Sequence, residues 1–293
     1  TAGNFGTVEN TTDGSGVAVD LEAPEISDVS ISTNNNTNTS YGKLDDTVTL
    51  SFKTSEPIQT PTAETLTVTG LGELTFTKTD VDGKQWTAKG TVPASANGNA
   101  AFSITVLDNA GNRGSPKTTS TDQTSVTLDT TKPTLSSVTL ASTNTATNRA
   151  KSGDTLTLAF TSSEAIPALT VTLAGTSVTA TDASSGAKTS WQAVHTVDSN
   201  TPNNTVAFSI SFADAAGNSG EDRTTTTDQS SVNVDTTTPT LTLVKLKSNN
   251  SDETLAKATE TVTLEFTSSE AIEDPSVLIN GVAATLTGYG TSW

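Results

Sequence analysis

The chain has 293 residues, with 32 Asp and Glu against 15 Lys and Arg and a formal charge of −17. The acidic excess is spread along the chain, so it reads as a solvated surface that attracts dissolved cations and repels nucleic-acid phosphates and anionic membranes. There is no Cys and no Met, and there is one His, which excludes disulfides and thiolate chemistry and leaves almost no room for a His-based zinc site.

From the first residue onward no charged stretch leads into an apolar core, and no apolar run approaches the ~18 residues of a membrane span. No direct membrane insertion is therefore expected in this segment, and any signal peptide or anchor is expected outside it. The chain repeats itself at intervals slightly over one hundred residues. Val19-Asp20-Leu21-Glu22-Ala23-Pro24 recurs as Leu128-Asp129-Thr130-Thr131-Lys132-Pro133 and as Val234-Asp235-Thr236-Thr237-Thr238-Pro239. Thr47 to Glu56 matches Thr155 to Glu164 and Thr261 to Glu270 without gaps. Trp86, Trp191 and Trp293 fall at equivalent places, as do Asp108-Asn109-Ala110-Gly111-Asn112 and Asp214-Ala215-Ala216-Gly217-Asn218, echoed by Thr1-Ala2-Gly3-Asn4.

This register divides the chain into residues 1–20, the last strand of a preceding repeat; 21–129 and 130–235, two complete repeats; and 236–293, the N-terminal part of a further one. An array of this kind, cut at both ends, is expected to leave its terminal portions poorly ordered unless neighbouring repeats complete them.

Within a repeat, apolar residues alternate with Thr and Ser, as in 155–160 and 206–212, and Gly, Asn, Asp and Pro punctuate the runs. Period two with β-branched enrichment predicts half-buried strands and almost no helix. In the second repeat the spacing predicts seven strands, at 134–142, 154–163, 168–174, 177–181, 190–197, 205–213 and 229–235. The fold class is therefore all-β: tandem immunoglobulin-like seven-strand β-sandwiches in a linear array. Phe160, Phe208 and Trp191, with inward Leu and Val, are the expected core. A core so poor in aromatics and without disulfides calls for reinforcement at the junctions.

Strand direction supplies a candidate. If the first strand runs away from the linker, the second returns to it and ends at Glu164, the sixth delivers Asp214 to the same end, and Asp129 enters there. The same register groups Asp20, Glu56 and Asp108 at the first junction, and Asp235 with Glu270 at the third. Converging carboxylates either stay apart in water or are bridged by a hard cation, and Ca²⁺ accepts 6–8 oxygen ligands of the kinds at hand. The competing reading is ordinary turn chemistry, in which Asp and Glu accept hydrogen bonds from nearby backbone. Asp122 and Asp228, in the loop before the last strand, are weaker candidates.

The motifs Asp-Thr-Thr-x-Pro-Thr, Phe-Thr-Ser-Ser-Glu-Ala-Ile and Asp-Ala-Ala-Gly-Asn, together with the abundant Thr, Asn and Ser, resemble the bacterial Ig-like repeats of very large surface proteins. These include biofilm-associated and RTX-type adhesins, and similar repeats occur in surface-layer proteins. The resemblance covers nearly the whole chain. It implies an extracellular, cell-surface location and a structural stalk that calcium stiffens through the junction residues named above. The first repeat departs from the pattern at Ser55-Glu56-Pro57-Ile58 and Leu21-Glu22-Ala23. The implied partners are neighbouring repeats of the same chain, with lateral copies in a surface assembly as a further possibility, and no nucleic acid.

Other readings compete. A lattice-forming surface-layer protein would use the same domains to tile a cell surface. Glycan-binding accessory modules of a secreted enzyme would need exposed aromatic platforms, for which only Tyr41, Tyr289 and the Trp residues are available. Catalysis is not expected, because His195 sits in a strand pattern with no nucleophile motif beside it and acids that recur once per repeat do not face a cleft. Lys43, Lys151 and Lys257 read as turn lysines, with an isopeptide link to Asn as the alternative. Asn10, Asn35, Asn38, Asn203 and Asn249 open Asn-x-Ser/Thr triplets that would suit glycosylation.

Overall fold

In the computed structural model the described residues are 15, 16 and 19–293. The strand expected at 1–20 and the triplet at Asn10 therefore lie largely or wholly outside the described residues. Every regular element among those described is a strand. The first repeat carries β1 (Ile26–Thr33), β2 (Tyr41–Gly42), β3 (Thr47–Thr54), β4 (Leu66–Val68), β5 (Thr75–Lys78), β6 (Gln85–Thr91), β7 (Gly98–Asn99), β8 (Phe102–Ile104) and β9 (Thr127–Leu128). The second has β10 (Leu135–Ser142), β11 (Arg149–Ala150), β12 (Thr155–Ser162), β13 (Ala168–Leu173), β14 (Thr176–Val178), β15 (Ala180–Asp182), β16 (Ser190–Thr196), β17 (Phe208–Ala213) and β18 (Asn233–Val234). The third has β19 (Leu241–Ser248), β20 (Val262–Ser268), β21 (Leu278–Ile279) and β22 (Val282–Ala283).

Backbone contacts divide the chain into two compact units, one reaching to Ala141 and including Leu156–His195 and Val206–Ser231, the other made of Ser142–Thr155, Thr196–Thr205 and Val232–Trp293. In the first unit the sheet order is β1-β3-β6-β5, and again β10-β12-β16-β15, with β4-β8 and β14-β13-β17 as the facing sheets. These orders reproduce the ABED sheet and the C–F pairing of an immunoglobulin-like sandwich. The last strand of the repeat, β9, pairs in parallel with the short β2, which follows β1, and antiparallel with β7.

Alternation explains the sheets. The strand β3 reads Thr-Val-Thr-Leu-Ser-Phe-Lys-Thr and buries every second side chain, and β12 does the same with Leu156, Leu158 and Phe160. In the first repeat those residues meet Leu66, Trp86, Phe102 and Ile104 in one core. In the second, Phe160, Trp191 and Phe208 are all buried, as the sequence predicts, and Phe212 joins them. The indole N–H of Trp86 donates to Gly83 and that of Trp191 to Lys188, so neither buried ring leaves a donor unpaired.

The exposed edge of β1 is closed by the long loop before the last strand. Thr121 N–H donates to Val29 and Ile31 N–H to the Thr124 hydroxyl, and the second repeat does the same with Thr227 to Val138 and Leu140 to Ser230. Bonded edges of this kind resist pairing with other chains.

The second unit holds the parallel pair β11-β18, the antiparallel pair β19-β20 and the hairpin β21-β22. In β19 the inward alternation persists in the sequence, yet Leu241, Leu243, Val244 and Leu246 are more than half exposed. No facing sheet covers them among the described residues. Phe266 stacks on Trp293 at 6.5 Å, the start of a core like those of the first two repeats.

Six of the seven strands predicted for the second repeat are present as single strands, shortened at their ends. The predicted strand 177–181 is two, β14 and β15, because the chain changes sheets there: β14 pairs with β13 and β15 with β16. The two-residue strand β11 has no alternation to reveal it.

Candidate metal centres at the linkers

The Thr/Ser-Ser-Glu motif that ends the second long strand is built to hold Glu against the linker. Its first hydroxyl, from Thr54, Ser162 or Ser268, donates to the carbonyl of Glu56, Glu164 or Glu270. Its next Ser accepts the linker N–H of Glu25, Thr134 or Thr240 through its side chain, and its own N–H returns the bond to the same linker residue. The linker itself is pinned from another side, where the Asn97 side chain accepts Thr130 N–H and that of Asn203 accepts Thr236 N–H. Neither Asn97 nor Asn203 is recognisable as a linker clamp in the sequence, although their shared spacing to the linker is a signal that could have found them.

The Asp-x-Ala-Gly-Asn turn delivers the third acid. Asp108 is 1 % and Asp214 2 % exposed. One Asp108 carboxylate oxygen accepts the N–H of Gly111 at 2.6 Å and of Asn112 at 2.8 Å, and the other accepts the Asn112 amide at 2.7 Å. Asp214 repeats this with Asn218, at 2.8 Å from both its N–H and its amide. Gly111 and Gly217 take φ of 97° and 86°, which only glycine adopts without strain and which closes the turn. The same Asn amide reaches back to the linker, Asn112 to the Asp20 carbonyl at 3.1 Å and Asn218 to that of Asp129 at 2.9 Å.

The outcome is two triads: Asp20, Glu56 and Asp108, and Asp129, Glu164 and Asp214, each offering one carboxylate oxygen with all three within 4.8 Å of one another. Both are among the groups expected from strand direction. Asp235 and Glu270 are not joined by a third acid among the described residues. Glu270 nevertheless has one carboxylate oxygen buried with no hydrogen-bond partner there. The weaker candidates Asp122 and Asp228 do not join a triad. Asp122 accepts the N–H and hydroxyl of Thr124, and Asp228 the N–H of Ser230, which is the turn chemistry that shapes the edge-covering loop.

The turn reading also holds in part for the linker acids, since Asp20, Asp129 and Asp235 each accept the N–H two residues on. A carboxylate has about four lone-pair positions, so one such bond leaves capacity for a further ligand.

The electrostatics match the crowding. Desolvation, then the charges of Asp20, Asp108 and Glu22, hold Glu56 above the usual carboxylate range, against the pull of Lys84. Desolvation, then Asp129 and Asp214, does the same for Glu164. Desolvation, with the charge of Asp214, raises Asp129 despite its bond from Thr131. Asp108 goes the other way: desolvation works upward, but the Asn112 amide and the N–H groups of Asn112, Gly111 and Ala110 hold its carboxyl low. Each triad thus crowds acidic groups whose charges oppose one another.

The donor set fits a hard divalent cation. All donors are oxygens, and two oxygens bound to one Ca²⁺ at 2.3–2.6 Å can stand up to about 5 Å apart, which accommodates the separations seen.

The lysines Lys43, Lys151 and Lys257 are turn residues as expected, their N–H groups donating to Asp46, Asp154 and Glu260. Of the triplet asparagines, Asn35 is 2 % exposed and its amide is engaged with Ala216, so glycosylation does not fit that contact. Trp86 and Trp191 are buried rather than displayed as platforms, and Tyr289 is the strongly exposed aromatic among the described residues.

No protein-family model matches this chain, and no curated protein sequence does. Among solved structures, the tandem Ig repeats of Dlar align over 74 % of this chain and 100 % of theirs at 10 % identity, with a TM-score of 0.24. The I9–I11 tandem from titin aligns over 84 % of this chain and 79 % of its own at 9 % identity, with a TM-score of 0.30. Scores this low leave the assignment to the strand order, which makes the chain a run of immunoglobulin-like repeats. Among the described residues no helix is long and apolar enough to cross a membrane.

Proposed function

We propose that the chain is a structural region of an extracellular cell-surface protein, in which Ca²⁺ held at the repeat junctions stiffens a linear stalk. The observation that carries this reading is the pair of carboxylate triads, each assembled from the linker, the end of the second long strand and the Asp-x-Ala-Gly-Asn turn. A cation there ties a linker to two loops of the repeat it enters. Bound, it would offset the burial and the like-charge crowding that lift Glu56, Glu164 and Asp129 and remove freedom from the linker.

In this reading the domains run 21–129 and 130–235, the residues to 20 belong to a preceding repeat, and 236–293 begin another. Asp20, Glu56 and Asp108 hold one ion, Asp129, Glu164 and Asp214 a second, and Asp235 with Glu270 contribute to a third. The unpartnered Glu270 oxygen favours that last assignment. An adhesin stalk is preferred to a surface-layer lattice because the acids sit at linkers, along the chain.

Small-angle scattering of the full chain with calcium and with chelator tests the proposal. Calcium should lengthen the particle and narrow its distance distribution. Identical curves in the two conditions would overturn the stiffening role.

A further inference from the structure

The turn Asp214–Asn218 has two faces. One presents Asp214 to the triad. The other is covered by the loop between β1 and β3 of the first repeat: the Asn35 amide donates to the Ala216 carbonyl at 2.8 Å, and the Lys43 ammonium to that of Gly217 at 3.3 Å. Thr37 closes over Gly217 so tightly that a Cβ there would lie 2.7 Å from its hydroxyl oxygen. Asn35 is pre-set for this task. Its carbonyl oxygen accepts the N–H of Thr37 and Asn38, which fixes the loop and points the amide outward.

The same turn in the first repeat shows what the loop covers. Asp108–Asn112 shares the two bonds from Asn to the Asp carboxylate and a similar glycine, yet Ala110 is exposed whereas Ala216 is fully buried, and a Cβ on Gly111 would meet nothing within 4 Å. The loop recurs as well. Asn144 and Asn250 accept the matching backbone N–H groups of Ala146 and Asp252, while their amides rest on Asp154 and Glu260 of their own repeats.

We propose that the back of the Asp-x-Ala-Gly-Asn turn is a docking surface for the Asn/Lys loop of the repeat preceding it, with Asn35 as the positioning residue. The exposed back of 108–112 is then the surface for a further repeat of this kind, and the loop bearing Asn250 and Lys257 is the counterpart for a following one. Because one turn serves both faces, docking and cation binding at Asp129, Glu164 and Asp214 are linked, and each strengthens the other. This linkage rests on the cation reading above; the docking contact does not.

The test uses the full chain. It has no native Cys, so spin labels at Thr77→Cys and Gln192→Cys, both at exposed strand positions, report the separation of the first two repeats. Asn35→Asp keeps the acceptor for Thr37 and Asn38 but turns a carboxylate toward the Ala216 carbonyl. In chelator, this variant should broaden the label distance distribution about twofold relative to the parent. In a Glu56→Gln, Glu270→Gln background, it should raise the calcium midpoint of the remaining triad about tenfold, within the usual range of coupling between sites. An unbroadened distribution in Asn35→Asp overturns the docking surface. A broadened distribution with an unchanged calcium midpoint overturns the linkage alone. If the parent binds no calcium, the cation reading and the linkage fall with it, while the distance measurement still decides the docking.

Discussion

The Asn218 side-chain amide donates to the Asp129 backbone carbonyl at 2.9 Å, tying the linker to the turn that carries Asp214. The same nitrogen lies 2.8 Å from the Asp214 carboxylate, so one buried amide fixes two of the three acids. Replacing it with Ala leaves a buried carboxylate and a carbonyl short of a donor. Asn218→Ala should cost roughly 1–3 kcal/mol of unfolding free energy. Asn112→Ala, at a more exposed position, should cost less. Urea unfolding midpoints compare the two.

Neutralising one acid should have opposite effects in the two ionic conditions. In chelator, Glu164→Gln relieves repulsion among Asp129, Glu164 and Asp214 and should raise the melting temperature. In calcium it removes a ligand and should weaken binding by at least about tenfold, because affinity follows the number of charged ligands. Melting curves of parent and variant should therefore cross between the two conditions.

The pH dependence follows from the same groups. Glu56, Glu164 and Asp129 have folded-state values raised above the ordinary carboxylate range, so the folded state takes up their protons before the unfolded state does. Without cation, stability should therefore rise as pH falls from neutral toward about 4–4.5, where the unfolded carboxyls also protonate. Below that range the trend should reverse, because the hydrogen-bonded Asp108, Asp182 and Asp198 have lowered values and their contribution is lost as they protonate. With calcium the upper slope should invert, since protons compete for the ligands. Thermal melts from pH 7 to 3 with chelator and with calcium read both signs.

Much of this arrangement is legible in the sequence, and the physical reason is periodicity. Alternation in 47–54 and 155–162 marks strands whose direction follows from the linker, and direction alone brings Glu164 and Asp214 to the same end. What escapes is carried by single polar side chains with no period. The contact from Asn35 to Ala216 spans two repeats, and its signal, one Asn in an Asn- and Thr-rich loop, is the same one that suggests a glycosylation triplet. The break between β14 and β15 is a choice of sheet, which local alternation does not encode. Asp122 and Asp228 look like ligands only because the loop they shape is long.

The hydrophobic interior should respond as a packed core. Phe160 is 2 % exposed between the two sheets of its repeat, so Phe160→Ala should cost about 3–5 kcal/mol. Tyr289→Ala, at an exposed position, should change stability by less than about 0.5 kcal/mol. Chemical denaturation with intrinsic tryptophan fluorescence distinguishes them.

The central claim is that the triads hold calcium, and thermal melting of the full chain with calcium against chelator tests it most directly. At a hundredfold excess over Kd, one bound ion stabilises its repeat by about 2.7 kcal/mol, which for about a hundred residues raises the melting temperature on the order of 10 °C. A rise of that size, lost in a chain carrying Glu56→Gln and Glu164→Gln, is the predicted result. Superimposable melts in calcium and chelator would contradict the account and leave the carboxylates as turn residues.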